Sequence, residues 1–149
     1  MAGAAKAICE TEKETMKRCG LLLLCCFYLT GCAQFHATKG WTYLDRHDPD
    51  NAIVEFQQAE QLPGALLGLS DAYLQKGDLQ RAEESLDKAL RRYPNDWAVV
   101  LEKGLHCLKI TKDYTCAIHY FERCKALKPS GIAAQLDALI QEARQGNTM

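Results

Sequence analysis

Among the residues able to do chemistry, the cysteines stand out, and they fall into three groups. Cys9, Cys19, Cys25 and Cys26 come early, Cys32 stands alone, and Cys107, Cys116 and Cys124 cluster late. The simplest reading of Cys107 and Cys124 is buried packing, because a free cysteine behaves as a small hydrophobe. A second reading is a bridge from Cys107 to Cys116, which an oxidising compartment would permit. Cys116 and Cys124 lie eight apart, about 12 Å of helical rise, too far to pair. A third reading is a zinc site from His106, Cys107, Cys116 and His119, whose residue types zinc accepts. Against it, His106 and Cys107 are adjacent and diverge by about 100° on a helix. His36 and His47 have no visible partners in the sequence and read as solvated.

Catalytic motifs are missing from the sequence: there is no Gly-rich phosphate loop, no Gly-x-Ser-x-Gly and no His-Glu-x-x-His. Glu83, Glu84 and Asp87 read as a solvated helix face beside Arg81 and Lys88, and Arg91-Arg92 as a charge pair at a helix C-terminus. No cofactor, metal or enzymatic activity is expected.

The elements that must position these side chains follow from the chain as a whole. It has 149 residues, 18 Lys+Arg against 19 Asp+Glu, a net charge of -1 and 48% hydrophobic residues, the size of one ordinary domain. Without a concentrated basic face, nucleic acid is excluded as the main partner.

Met16-Lys17-Arg18 precedes the apolar run from Gly20 to Thr30, a charged segment followed by a hydrophobic one. The run is about half of the roughly 20 residues that span a bilayer, so it reads as a removable signal. Leu29-Thr30-Gly31-Cys32 resembles the lipobox of bacterial lipoproteins. The resemblance implies diacylglycerol on the Cys32 sulfur and cleavage that leaves Cys32 first, with residues 1–31 as signal peptide. Glu10, Glu12 and Glu14 are out of place in such a signal, so residues 1–15 read as an extension and Met16 as the true start. The residue after Cys32 is Ala33, not the Asp that retains some lipoproteins in the inner membrane. The implied location is lipid-anchored at the cell membrane, on the periplasmic face of the outer membrane in a Gram-negative cell.

Beyond Cys32 the sequence repeats itself. Gly40, Tyr43, Ala52, Phe56 and Ala59 are followed by Leu66, Leu69, Ser70, Tyr73, Gly77, Ala82, Leu86, Ala89 and Pro94. Val100, Gly104, Cys107, Ala117, Phe121, Cys124 and Pro129 complete the series. These steps resemble the 34-residue tetratricopeptide repeat. The resemblance implies an all-α, right-handed superhelix of antiparallel helix pairs, with repeats at about 33–62, 63–96 and 97–130. A capping helix and frayed tail are expected over 130–149. Close helix crossings need small residues such as Gly40, Ala52, Ala59, Ser70, Ala82 and Ala89, with Tyr43, Phe56, Tyr73, Leu86 and Phe121 as wedges. Ala52 to Ala82 is 30 residues, four short of the period, so Gln61-Leu62-Pro63-Gly64 should end the second helix early. Ala82 to Ala117 is 35, one long, and the extra residue falls around Lys109 to Asp113.

In this family the first helix of each pair lines a concave face where peptides dock. Carried onto this chain, the lining is Ala37, Trp41 and Leu44, then Leu67, Asp71 and Leu74, then Leu101, Leu105 and Leu108. The Lys and Asn set with which chaperone-type members grip a terminal carboxylate is absent. The expectation is an apolar groove for a helix or hydrophobic segment, with Trp41 as anchor. Similar small bacterial lipoproteins include some that help assemble or localise pilus secretins. The implied role is therefore a membrane-anchored scaffold for a protein or peptide partner in the envelope. The alternative is a redox- or metal-responsive protein using Cys107, Cys116, Cys124 and His119.

Overall fold

The computed structural model describes residues 31–127 and 131–148, which form seven helices and, among the described residues, no strand. The apolar leader run, the early cysteines and Pro129 of the repeat series lie outside the described residues. Helix α1 covers residues 31–45, and α2 Pro49–Gln57, α3 Pro63–Gln75 and α4 Leu79–Arg92 follow. Helix α5, Trp97–His106, runs into a π-helical stretch at Cys107–Thr111, and α6 Tyr114–Leu127 and α7 Ala133–Gly146 complete the chain.

Aspartates start four of these helices. Asp48, Asp78, Asp96 and Asp113 each accept a hydrogen bond from a backbone N–H of the first turn, at Asn51, Arg81, Ala98 and Cys116. Each satisfies an otherwise unpaired donor, worth about 1 kcal/mol. Pro49 and Pro63 occupy first positions, where a missing N–H costs nothing.

The three intra-repeat turns share one design. A left-handed residue, His47, Gly77 or Lys112, precedes the capping aspartate. The aspartate N–H closes the turn on the carbonyls of Tyr43, Tyr73 and Cys107, at 3.0, 2.9 and 2.9 Å. Two of these closures span five residues, whereas Asp113 to Cys107 spans six. The surplus residue expected around Lys109 is thus absorbed as the π-helical stretch, a wider turn inside the helix and not a longer loop. The shortage in the first repeat is the brevity of α2, 9 residues against 14 in α4 and α6.

Only glycine adopts positive φ without strain, so His47→Gly and Lys112→Gly should each stabilise the fold by about 0.5–1 kcal/mol. Chemical unfolding of the two variants checks this.

The small-residue crossings are buried as expected: Ala52, Ala59, Ala82 and Ala89 are inaccessible and Ser70 nearly so. Phe56 is the chief wedge. Its ring lies against Gly40 of α1 and Gly68 of α3, and stacks edge-on to Trp41 with centroids 5.2 Å apart. Phe121 meets Gly104 in the same way. Where the repeat has Ser70 in place of glycine, the wedge position holds the smaller Leu86.

Side chains fill two contiguous cores, one across α1–α4 that reaches onto α5, and one across α5–α7. Val99 belongs to the first core and Val100 to the second. Helix α7 covers the open end through Leu136, Ile140 and Ala143. It ends at Gly146, which packs against the Tyr114 ring.

Candidate binding face

Helices α1 and α3 present the same three positions, one repeat apart. Trp41, Leu44 and Asp45 on α1 and Asp71, Leu74 and Gln75 on α3 stand at i, i+3 and i+4, so each set falls on one helix face. Together they line a cavity of about 390 Å³. Gln75 Nε2 donates to the Leu44 carbonyl at 3.4 Å and ties the two helices at the rim.

The expected lining divides. Trp41, 38% exposed, stands at the cavity with Asp71 and Leu74, while Leu44 forms its buried floor. Leu67, Leu101 and Leu105 are half-buried against the cores. Ala37 and Leu108, 5% exposed, are core residues outside this cavity, and Leu108 lines a separate one with Lys109, Lys112 and Tyr114. Helical spacing gives the face of a residue but not whether a neighbouring helix has already closed over it. Asp45, Gln75 and Glu102 were missed. The repetition of i, i+3 and i+4 between α1 and α3 would have found the first two.

The cavity is acidic as well as apolar. Burial, followed by the neighbouring charge of Glu102, pushes the Asp71 carboxyl up to about 6. Glu102 on α5 is also raised by burial, with Lys109 partly offsetting this.

Other buried charges carry close partners. Glu55 on α2 receives Lys39 Nζ at 2.5 Å and sits 2.6 Å from His36 Nδ1. Those hydrogen bonds, Lys39 first, hold its carboxyl below the usual range. His36 is therefore an inter-helix partner and not the solvated residue expected. Lys103 lies 2.7 Å from Asp87 and 3.3 Å from Glu83. Burial pulls its ammonium down, but the bonds and charges of those two acids outweigh burial and raise it. Glu83 and Asp87 thus serve a buried lysine as well as facing water.

Of the two late cysteines expected to pack as hydrophobes, Cys124 does so and Cys107 is bridged instead. Cys107 and Cys116 form a disulfide with Cα atoms 5.9 Å apart, bridging the π-helical stretch to α6. Cys124 is a buried free thiol whose Sγ donates to the Trp97 carbonyl at 3.4 Å, and burial raises it away from the reactive thiolate. With both sulfurs of Cys107 and Cys116 committed to each other, the proposed zinc ligands are not assembled. Among the described residues no three potential ligands gather.

Comparison with known proteins matches residues 37–96 and 67–132 to the tetratricopeptide repeat family, together more than half of the chain. No curated protein matches significantly. Among solved structures, the TPR2B-domain:pHsp70-complex of yeast Sti1 is similar, with a TM-score of 0.68 and 17% identity. It covers 78% of this chain and 98% of that one. The first TPR domain of the human RPAP3 protein superposes with a TM-score of 0.64 and 18% identity, covering 80% and 98%.

Proposed function

The chain belongs to the tetratricopeptide repeat family, and from that premise we propose that it is a lipid-anchored adaptor holding a segment of another envelope protein against α1 and α3. The observation that carries this reading is the cavity between those helices, where Trp41 remains 38% exposed although its neighbour Phe56 is fully buried. Large apolar groups left open beside a concavity are the usual mark of a contact surface. Domains of this family are interaction modules, which supports a scaffold and not an enzyme. The similar yeast domain stands in a complex with pHsp70. A comparable peptide-holding role is proposed here for a different partner.

Two features support the envelope location. A Cys107–Cys116 disulfide suits an oxidising compartment. Cys32 is exposed and free at the start of α1, and Ala33 beside it is already core. A lipid on Cys32 would therefore enter a rigid helix with no tether, keeping the cavity within a few nanometres of the bilayer. In a cell with two membranes this is the periplasmic face of the outer one, a place suited to assembling a pilus or secretion complex.

Mass spectrometry of the mature N-terminus tests the anchor. The expected species begins at Cys32 with a diacylglyceryl group, and Cys32→Ser abolishes it. A mature protein retaining the apolar leader, or one with Cys32 unmodified, overturns the anchoring.

A further inference from the structure

The molecule neutralises its most buried charges with care, which makes one exception informative. Glu55 and Lys103, 8% and 7% exposed, are each held by two close partners, Lys39 and His36 for Glu55 and Asp87 and Glu83 for Lys103. Asp71 and Glu102, half-buried on neighbouring helices, make no hydrogen bond or ion pair among the described residues. Lys109, from the π-helical stretch, acts on Glu102 only at a distance. Taking a carboxylate out of water without a counter-ion is costly, and a cation arriving beside it recovers that cost.

The surroundings select the form of that cation. Asp71 shares its cavity with the exposed Trp41, with Leu44 and Leu74, and with a second carboxylate, Asp45. Lysine and arginine carry a charged head on an apolar stem, and an aromatic face attracts the head while apolar side chains accept the stem. We propose that this cavity seats a lysine or arginine side chain from an amphipathic helical segment of the partner, its head beside Asp71 and its stem along Trp41 and Leu74. The partner is thus a basic amphipathic segment, not the purely hydrophobic one its leucines suggest. This rests on reading the α1–α3 face as the docking surface.

Three labelled synthetic helices with one leucine pattern, bearing lysine, glutamine or glutamate at the intervening positions, are titrated into the full-length protein and followed by anisotropy. The lysine peptide is expected to bind at least about tenfold more tightly than the glutamine peptide, a difference of about 1.4 kcal/mol. The glutamate peptide should bind weakest. The preference should shrink to within about twofold in Asp71→Asn/Glu102→Gln. Affinity for lysine should rise between pH 5 and 7 as Asp71 ionises, and stay level in the double variant, which removes both raised carboxyls.

Equal binding of the lysine and glutamine peptides, a preference that survives the double variant, or no binding in any arm overturns the inference. Equal binding that Leu74→Glu abolishes overturns the charge preference alone and leaves the docking face standing. The two polar replacements keep the side-chain shape, and an unchanged unfolding midpoint confirms that the double variant is folded.

Discussion

Gly68→Ala is expected to destabilise the protein by about 2–3 kcal/mol, although alanine is the better helix former by about 1 kcal/mol. A Cβ at Gly68 would run into the ring of Phe56, and one at Gly40 would come within 2.6 Å of the same ring. The ring cannot step aside, because Phe56 is completely buried and Trp41 packs on its edge. The control lies in the same helix. Gly64 has nothing within 4 Å of its would-be Cβ, so Gly64→Ala should be neutral or stabilise by up to about 1 kcal/mol. Phe56→Leu should partly rescue Gly68→Ala, because the clash is with the Phe56 ring and the smaller side chain leaves room for the added methyl group. Urea unfolding of the two single variants and the double gives the coupling. Equal effects of alanine at Gly64 and Gly68 would contradict this packing.

Loss of the Cys107–Cys116 bridge carries the second large effect. The cysteines are nine residues apart, and closing a loop of that length restricts the unfolded chain by about 2.5 kcal/mol in the chain-entropy treatment. Cys116→Ser should lower stability by about that amount, and a reductant should lower the wild type equally while leaving the variant unchanged. Because Cys107 is 3% exposed, the variant keeps a buried thiol and adds no cavity. Unfolding midpoints with and without reductant decide the matter. Wild-type stability that does not move although both thiols become titratable would contradict it.

These two expectations show what the sequence carried. The Gly40 and Phe56 pairing was legible, since small and large residues recur at fixed steps on two helices. Gly68 was not, because it stands outside the repeating small-residue positions and meets Phe56 only across the repeat boundary. The surplus residue near Lys109 was countable, but arithmetic does not distinguish a longer loop from a π-helical turn. Packing and bridging place the Cys107 sulfur in nearly the same position, so composition alone favoured the blander reading. His36 escaped notice because its partner Glu55 lies 19 residues away on another helix. The acidity of the cavity is not legible from one helix face, because Glu102 acts on Asp71 from the neighbouring α5. Ala37 and Leu108 share the expected face but lie beneath its surface.

The central claim, that the α1–α3 face holds another envelope protein near the membrane, is tested most directly by site-specific photocrosslinking in native membranes. Probes at Trp41 and Leu74 should each yield an adduct of the same single mass, and a probe at Glu84, exposed on α4, should not. Both adducts should be lost when Cys32→Ser removes the anchor. An adduct from Glu84 with none from Trp41 or Leu74 would contradict the account.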